Sequence, residues 1–217
     1  MAAVCSTDGT FGPGVGSCRG GFDFTLTFED IFLGLLLQIG LLLLAPARLS
    51  TLRRRQNRVV RKSHLGFLKV VTTCLYTVSS VLPLVFWSND RIFGTRASTT
   101  TAALEFMASV TIVVLSYMEH TRAIRPSHLL QFFLLLLLVY DAIRLRTLFL
   151  IQYPTELVSS LSVHTFLTGT LLLLESLDKR ELFPDPANGK LSPEETIDLF
   201  GKRLFWHLNS LFRQGMS

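Results

Sequence analysis

Apolar residues run through this chain in blocks of about twenty, separated by short polar or basic stretches. About twenty helical residues carry a chain across roughly 30 Å of hydrocarbon. The first block occupies 24–47 and closes at Pro46 and the arginines beyond it, which cannot enter lipid cheaply. The second, 65–87, ends on Trp87, an aromatic suited to the membrane interface. The third, 97–118, is the most polar, with Ser98 to Thr101 and Glu105 in its first half, so it is expected to face its neighbours more than lipid. The fourth, 127–150, starts after Pro126 and has the run Leu134–Val139 at its centre; a turn at Tyr153 and Pro154 leads to the fifth, 155–177. In lipid only helices and closed barrels satisfy every backbone hydrogen bond, and these runs lack the alternation of a barrel strand. The predicted fold is therefore all-α, an integral membrane five-helix bundle.

Composition agrees. Of 217 residues, 49% are hydrophobic and 17% charged, with mean hydropathy +0.43, whereas soluble domains carry about 25% charged residues. The net charge of +5 does not point to nucleic acid, because the basic residues sit between apolar blocks, where they act as orientation signals. The first connection holds Arg48, Arg53, Arg54, Arg55, Arg58, Arg61 and Lys62, and the third holds Arg122 and Arg125. With the C-terminal Lys179, Arg180, Lys190, Lys202, Arg203 and Arg213, these far outnumber Arg19, Arg91, Arg96, Arg144 and Arg146 on the opposite side. Lys69 falls inside a span and belongs to neither set. The positive-inside rule then places the N-terminus outside and the C-terminus in the cytoplasm. The tail, 1–23, lacks the basic start and apolar core of a cleaved signal peptide. The basic cluster at Arg53–Lys62 serves either orientation alone or also anionic lipid, which attracts each such charge by roughly 1 kcal/mol near the surface. Plasma and vacuolar membranes are equally compatible with this pattern.

Beyond the last block, 178–191 is a cytoplasmic linker whose Phe183–Gly189 stretch cannot continue a helix. A new helix is predicted over 192–215. Ser192 caps it, Pro193 suits its first position, and Glu195 completes the capping box. Ile197, Phe200, Leu204, Leu208, Leu211 and Phe212 then recur at three- and four-residue spacing, widened by Phe205. Such a helix lies along the membrane surface or docks on a partner; it is too charged to cross.

The candidate chemistry is sparse. Cys5 and Cys18 on the outer tail can pair across a glycine-rich loop, or remain two free thiols. Cys74, inside the second span, is expected to be a small buried side chain. His64, His120 and His128 fall at cytoplasmic ends of spans, His164 in the outer half of the fifth and His207 on the surface helix, so the histidines do not line up for haem or metal and no cofactor is expected. Intramembrane charges are functional candidates by default. Glu105 stands nearly alone at depth and fits a structural hydrogen bond to a neighbouring helix, or else a proton relay or substrate ligand. Asp141 and Arg144, three apart in the outer half of one helix, can pair with each other.

The segment Ser192-Pro-Glu-Glu-Thr-Ile-Asp-Leu-Phe-Gly-Lys-Arg-Leu-Phe-Trp-His-Leu-Asn-Ser-Leu-Phe-Arg-Gln-Gly215 resembles the elbow of fungal C-subfamily, multidrug-resistance-associated ABC transporters, which precedes their core transmembrane domain. Asp8-Gly-Thr-Phe-Gly-Pro13, Cys18-Arg-Gly-Gly-Phe-Asp-Phe-Thr-Leu26 and Phe28-Glu29 resemble the extracellular start of the same family's accessory N-terminal domain. The resemblance implies an accessory membrane domain that anchors, targets or regulates a transport core, without chemistry of its own. Contact would run through lateral helix packing and the C-terminal helix, with Phe205, Trp206, Leu208 and Phe212 as anchors. The sequence has no G-x-x-x-x-G-K-[ST] phosphate loop, since Leu191 follows Gly189-Lys190; ATP hydrolysis is not expected of it, and a truncated or fragmentary transporter or a free-standing accessory domain is the implied origin. The alternative is a stand-alone small carrier or channel, which would need polar residues from several spans to converge.

Overall fold

A computed structural model describes residues 5, 7–12, 14, 23–54, 64–88, 95–122 and 128–176. It contains five long helices: α1 (Leu26–Arg54), α2 (His64–Trp87), α3 (Arg96–Arg122), α4 (His128–Ile151) and α5 (Thr155–Ser176). Within α1, Glu29–Leu35 is wound as a π-helix. No strand occurs among the described residues, and α1, α2, α3 and α5 are each long and apolar enough to cross a membrane. The remaining helix, α4, has 24 residues, as many as α2; its second half carries Asp141, Arg144 and Arg146. The linker 178–191, the helix expected over 192–215 and the basic residues Arg55, Arg58, Arg61 and Lys62 lie outside the described residues.

Each helix covers one apolar block, and two run on beyond it, α1 to Arg54 and α3 to Arg122. Helix α1 does not stop at Pro46 but continues to Arg54. A proline costs an interior hydrogen bond, and here tertiary contacts hold the following turns. Arg48 Nε donates to Glu119 Oε1 at 2.6 Å, Leu52 is buried, and Arg122 Nη1 donates to the carbonyls of Leu52 and Arg53 at 3.4 and 3.3 Å. The end of α3 thus satisfies carbonyls that the last turn of α1 would leave orphaned.

Successive helices run up and down. Helix α2 packs along α3 and α5, α4 against α5, and α1 along α3, while the π-helical segment touches both α3 and α4. The apolar core falls into two clusters. One gathers Leu26, Trp87, Ala102, Leu148, Leu157 and Leu161 near the end where α1 begins. The other gathers Leu41, Tyr76, Ala108, Ile112, Leu137 and Leu171 towards the opposite end. On every helix the buried charged or hydroxyl residues of one layer fall between its contributions to the two clusters. These are Asp30 on α1, Ser79 and Ser80 on α2, Glu105 on α3, Asp141 and Arg144 on α4, and His164 and Thr168 on α5. Large apolar side chains such as Phe32, Leu43, Phe67, Val78, Phe166 and Leu173 are exposed around the bundle, which is the surface a protein offers to lipid.

The N-terminal tail is fastened to the start of α1. Asp8 Oδ2 accepts from Cys5 N at 2.9 Å, and Thr27 Oγ1 donates to Asp8 O at 2.8 Å. Thr25 caps the helix by accepting from Phe28 N at 3.3 Å while donating to Gly12 O at 2.6 Å.

Candidate functional site: a charged layer inside the bundle

The layer begins at the π-helical segment, where the amide of Leu36 bonds back to Ile31 O, one residue further than in an α-helix. Asp30 sits there fully buried. Its Oδ2 accepts from Ser98 Oγ at 2.5 Å and its Oδ1 from Tyr140 OH at 3.2 Å. Thr101 Oγ1 donates to Asp30 O at 3.1 Å. One turn on, Gly34 allows this approach: a Cβ there would lie 2.7 Å from Thr101 Cγ2 and 2.8 Å from the Tyr140 ring.

Arg144 is the largest fully buried side chain. Its Nε lies 3.6 Å from Asp30 Oδ1 and its Nη1 3.5 Å from Glu105 Oε2, so one guanidinium bridges carboxylates from two other helices. Its planar group also lies 5.4 Å from the Trp87 ring centre and 5.6 Å from that of Tyr140, where ring quadrupoles favour a cation. On the other side, Glu105 Oε1 lies 2.8 Å from His164 Nε2. The His164 ring stacks on Tyr76 at 4.5 Å, and its Nδ1 meets Ser79 Oγ at 2.8 Å. Asp141 completes the layer, with Thr168 Oγ1 donating to its Oδ2 at 3.1 Å.

Two further polar sets flank this layer. Near the start of α1, Thr147 Oγ1 donates to Glu29 Oε1 at 2.6 Å and Arg146 Nη1 pairs with Asp23 Oδ1 at 2.8 Å. Towards the other end, Lys69 Nζ pairs with Glu175 Oε2 at 2.9 Å. Ser116 Oγ donates to the second oxygen of Glu175, and Gln131 Nε2 donates to the Glu175 backbone carbonyl at 2.9 Å.

Several sequence expectations need correction. Arg144 does not pair with Asp141; it turns across the bundle to Asp30 and Glu105, because intrahelical spacing permits a pair but two opposed carboxylates at bridging distance attract the guanidinium more. Glu105 is not alone at depth but belongs to a layer drawn from all five helices. Cys74 is an exposed free thiol rather than a buried one, since it falls on the outer face of α2. Cys5 is buried and disulfide-bonded; Cys18 lies outside the described residues. Arg53 and Arg54 form the last turn of α1. The sequence analysis did not single out Asp30, Glu29 or Glu175, and it noted Lys69 and His164 without giving them partners. The signal was present, since Asp30, Glu105, Asp141, Arg144 and His164 all fall in the same half of their spans.

Known proteins match the chain closely. The family model of the ABC transporter TMD0 domain matches residues 2–165. An ABC-type transporter of Gibberella zeae is 38% identical over 213 residues, covering 98% of this chain and 14% of the relative. The ABC multidrug transporter lscH of Purpureocillium lilacinum is 36% identical with the same coverage, and ABC multidrug transporter B of Aspergillus fumigatus is 35% identical over 93% of this chain and 14% of its own length. The chain thus spans about one-seventh of the curated relatives it matches. An all-helical membrane bundle that aligns nearly end to end with a small part of such transporters belongs to the ABC transporter TMD0 family.

Proposed function

We propose that this chain is a non-catalytic accessory domain that anchors, targets or regulates an ABC transport core. The observation that carries the reading is the near-complete alignment of the chain with only 14% of transporters of the same family. The physical support is the interhelical pairing of Arg144 with Asp30 and Glu105 and of Lys69 with Glu175, which ties the helices into a body able to present an apolar outer face to a neighbour. The core contact runs through that face and through the helix expected over 192–215, with Phe205, Trp206, Leu208 and Phe212 as anchors and Ser192, Pro193, Glu195 and Phe200 setting its start and stripe. The N-terminus faces outward, with Cys5 paired to Cys18, and the C-terminus lies in the cytoplasm beside the basic residues of the first connection, which also hold anionic lipid. Plasma or vacuolar membrane is the location, and the chain is a piece of a longer transporter.

Co-expression tests this. The chain is expressed with the Gibberella zeae relative lacking its corresponding segment, and the core is purified by its own tag. Recovery of the chain with the core, and loss of that recovery in a Phe205→Ala/Trp206→Ala/Phe212→Ala variant, supports the proposal. Purification of core without chain overturns it.

A second reading, a small carrier, gains from the charged layer, because polar residues from every span do converge. The layer is nevertheless bounded on both sides by the two apolar clusters, which describes a sealed interior, so the accessory reading stands first.

A further inference from the structure

His164 meets Ser79 through one ring nitrogen and Glu105 through the other. The Ser79 hydroxyl has one proton, and Ser79 Oγ donates it to the Tyr76 carbonyl at 2.8 Å. With that proton on the carbonyl, Ser79 Oγ is the acceptor at its 2.8 Å contact with His164 Nδ1, and Nδ1 carries the ring proton. A neutral ring in this tautomer aims the Nε2 lone pair at Glu105 Oε1, 2.8 Å away. Two acceptors at that distance repel unless a cation lies between or beside them. His164 Nε2 makes no hydrogen bond of acceptable geometry, although the residue is fully buried.

The charges point the same way. The layer holds three buried carboxyl groups, those of Asp30, Glu105 and Asp141, against the single guanidinium of Arg144. With all three carboxyls ionised the layer would carry two negative charges in excess, which is very costly in a dry interior. Two protons or one divalent ion would neutralise it. Ligand atoms of Glu105, Asp141 and His164 all lie within 4.8 Å of one another. Tetrahedral ligands about 2.0–2.2 Å from a metal stand roughly 3.4 Å apart, so side-chain shifts of about 1 Å would close the set. Outer partners are already in place: Ser79 on the far nitrogen of His164, Arg144 on the second oxygen of Glu105, and Thr168 on Asp141. Such partners orient metal ligands in built sites.

We propose that Glu105, Asp141 and His164 form a membrane-embedded site for a divalent transition-metal ion. One imidazole with two carboxylates suits Zn2+, Co2+ or Mn2+ over the harder Mg2+ and Ca2+. The ion would neutralise the layer and tie α3, α4 and α5 together.

The test uses the full chain without a histidine tag, expressed in medium supplemented with Zn2+ so that the ion is available as the bundle folds, then purified into lipid nanodiscs. Plasma mass spectrometry should find about one Zn2+ per chain, and X-ray absorption should show one imidazole nitrogen with oxygen ligands and no sulfur. The Co2+ form, prepared likewise, should show d–d bands without thiolate charge transfer. His164→Gln and Asp141→Asn should each lower retained metal at least about tenfold, and Ser79→Ala, which removes only an orienting partner, should weaken retention by about 10–100-fold with the ligand set unchanged. His128→Gln should leave retention unaltered. Should the ligand variants fail to fold, the absorption spectrum of the unaltered chain decides. Metal-free protein, sulfur or several imidazoles in the shell, or equal retention in His164→Gln and Asp141→Asn would overturn the site and leave two protons as the neutralising charge.

Discussion

Lys69 on α2 and Glu175 on α5 meet at 2.9 Å with side chains only 1% and 2% exposed. The pair closes the bundle on the side away from the start of α1. Removing one partner of a buried ion pair leaves an uncompensated charge and costs roughly 3–5 kcal/mol, whereas replacing both by apolar groups is often neutral. Lys69→Met should therefore unfold much more readily in a denaturant titration in mixed micelles, and Lys69→Met/Glu175→Leu should recover most of the loss. Equal stability of the single variant and the parent would mean that the pair holds nothing.

Gly34 marks the closest approach of α1 to the bundle. A methyl group there would meet Thr101 Cγ2 at 2.7 Å and the Tyr140 ring at 2.8 Å, whereas at Gly40 the nearest atom, Phe133 Cε1, is 3.5 Å away. Overpacking of this kind costs typically about 1–3 kcal/mol. Gly34→Ala should lower the midpoint of thermal unfolding and Gly40→Ala should hold or raise it, since alanine favours the helix. Unfolding followed by intrinsic fluorescence separates the two; a Gly34→Ala as stable as the parent would refute the close packing.

How much of this was legible in the sequence follows from what each signal averages over. Twenty-residue apolar blocks fix helix number and placement because the cost of crossing lipid sums along a whole helix, and a single Pro46 or Pro83 cannot reverse it. The partner of a buried charge depends instead on the rotation of each helix about its axis. Asp141 and Arg144 share a helix and read as a pair, yet the guanidinium is drawn to Asp30 and Glu105, which lie 114 and 39 positions away in the chain. The π-turn that carries Asp30 leaves no mark in apolar spacing. That the five ionisable residues share the same half of their spans was readable by counting turns from each span end, and only the comparison between helices was missing.

Arg144 answers two carboxylates at once and stacks near two rings. A lysine is a single point charge without the planar fork, so it cannot serve both. Arg144→Met should destabilise the bundle by roughly 3–5 kcal/mol as Asp30 and Glu105 lose their cation. Arg144→Lys should fall between that and the parent, and Arg144→Met/Asp30→Asn should regain part of the loss. Steric trapping or denaturant titration in micelles reads the order, and a lysine variant matching the parent would show that charge alone matters.

The turn between α4 and α5 offers a change in the stabilising direction. Gln152 has φ 59°, the left-handed region that disfavours any residue with a Cβ. Tyr153 N bonds to Leu148 O and Gln152 N to Phe149 O, each at 3.2 Å, which is the Schellman closure of a helix, normally made with glycine at this position. A side chain in that conformation costs about 1–2 kcal/mol. The Gln152 side chain is exposed, so no buried contact is lost on removing it. Gln152→Gly should stabilise the bundle by up to about 1 kcal/mol after the entropy of the unfolded glycine is counted, whereas Gln152→Val, β-branched at positive φ, should destabilise it. Denaturant midpoints of the two variants should fall on opposite sides of the parent, and a glycine variant less stable than the valine variant would contradict the backbone geometry of the turn.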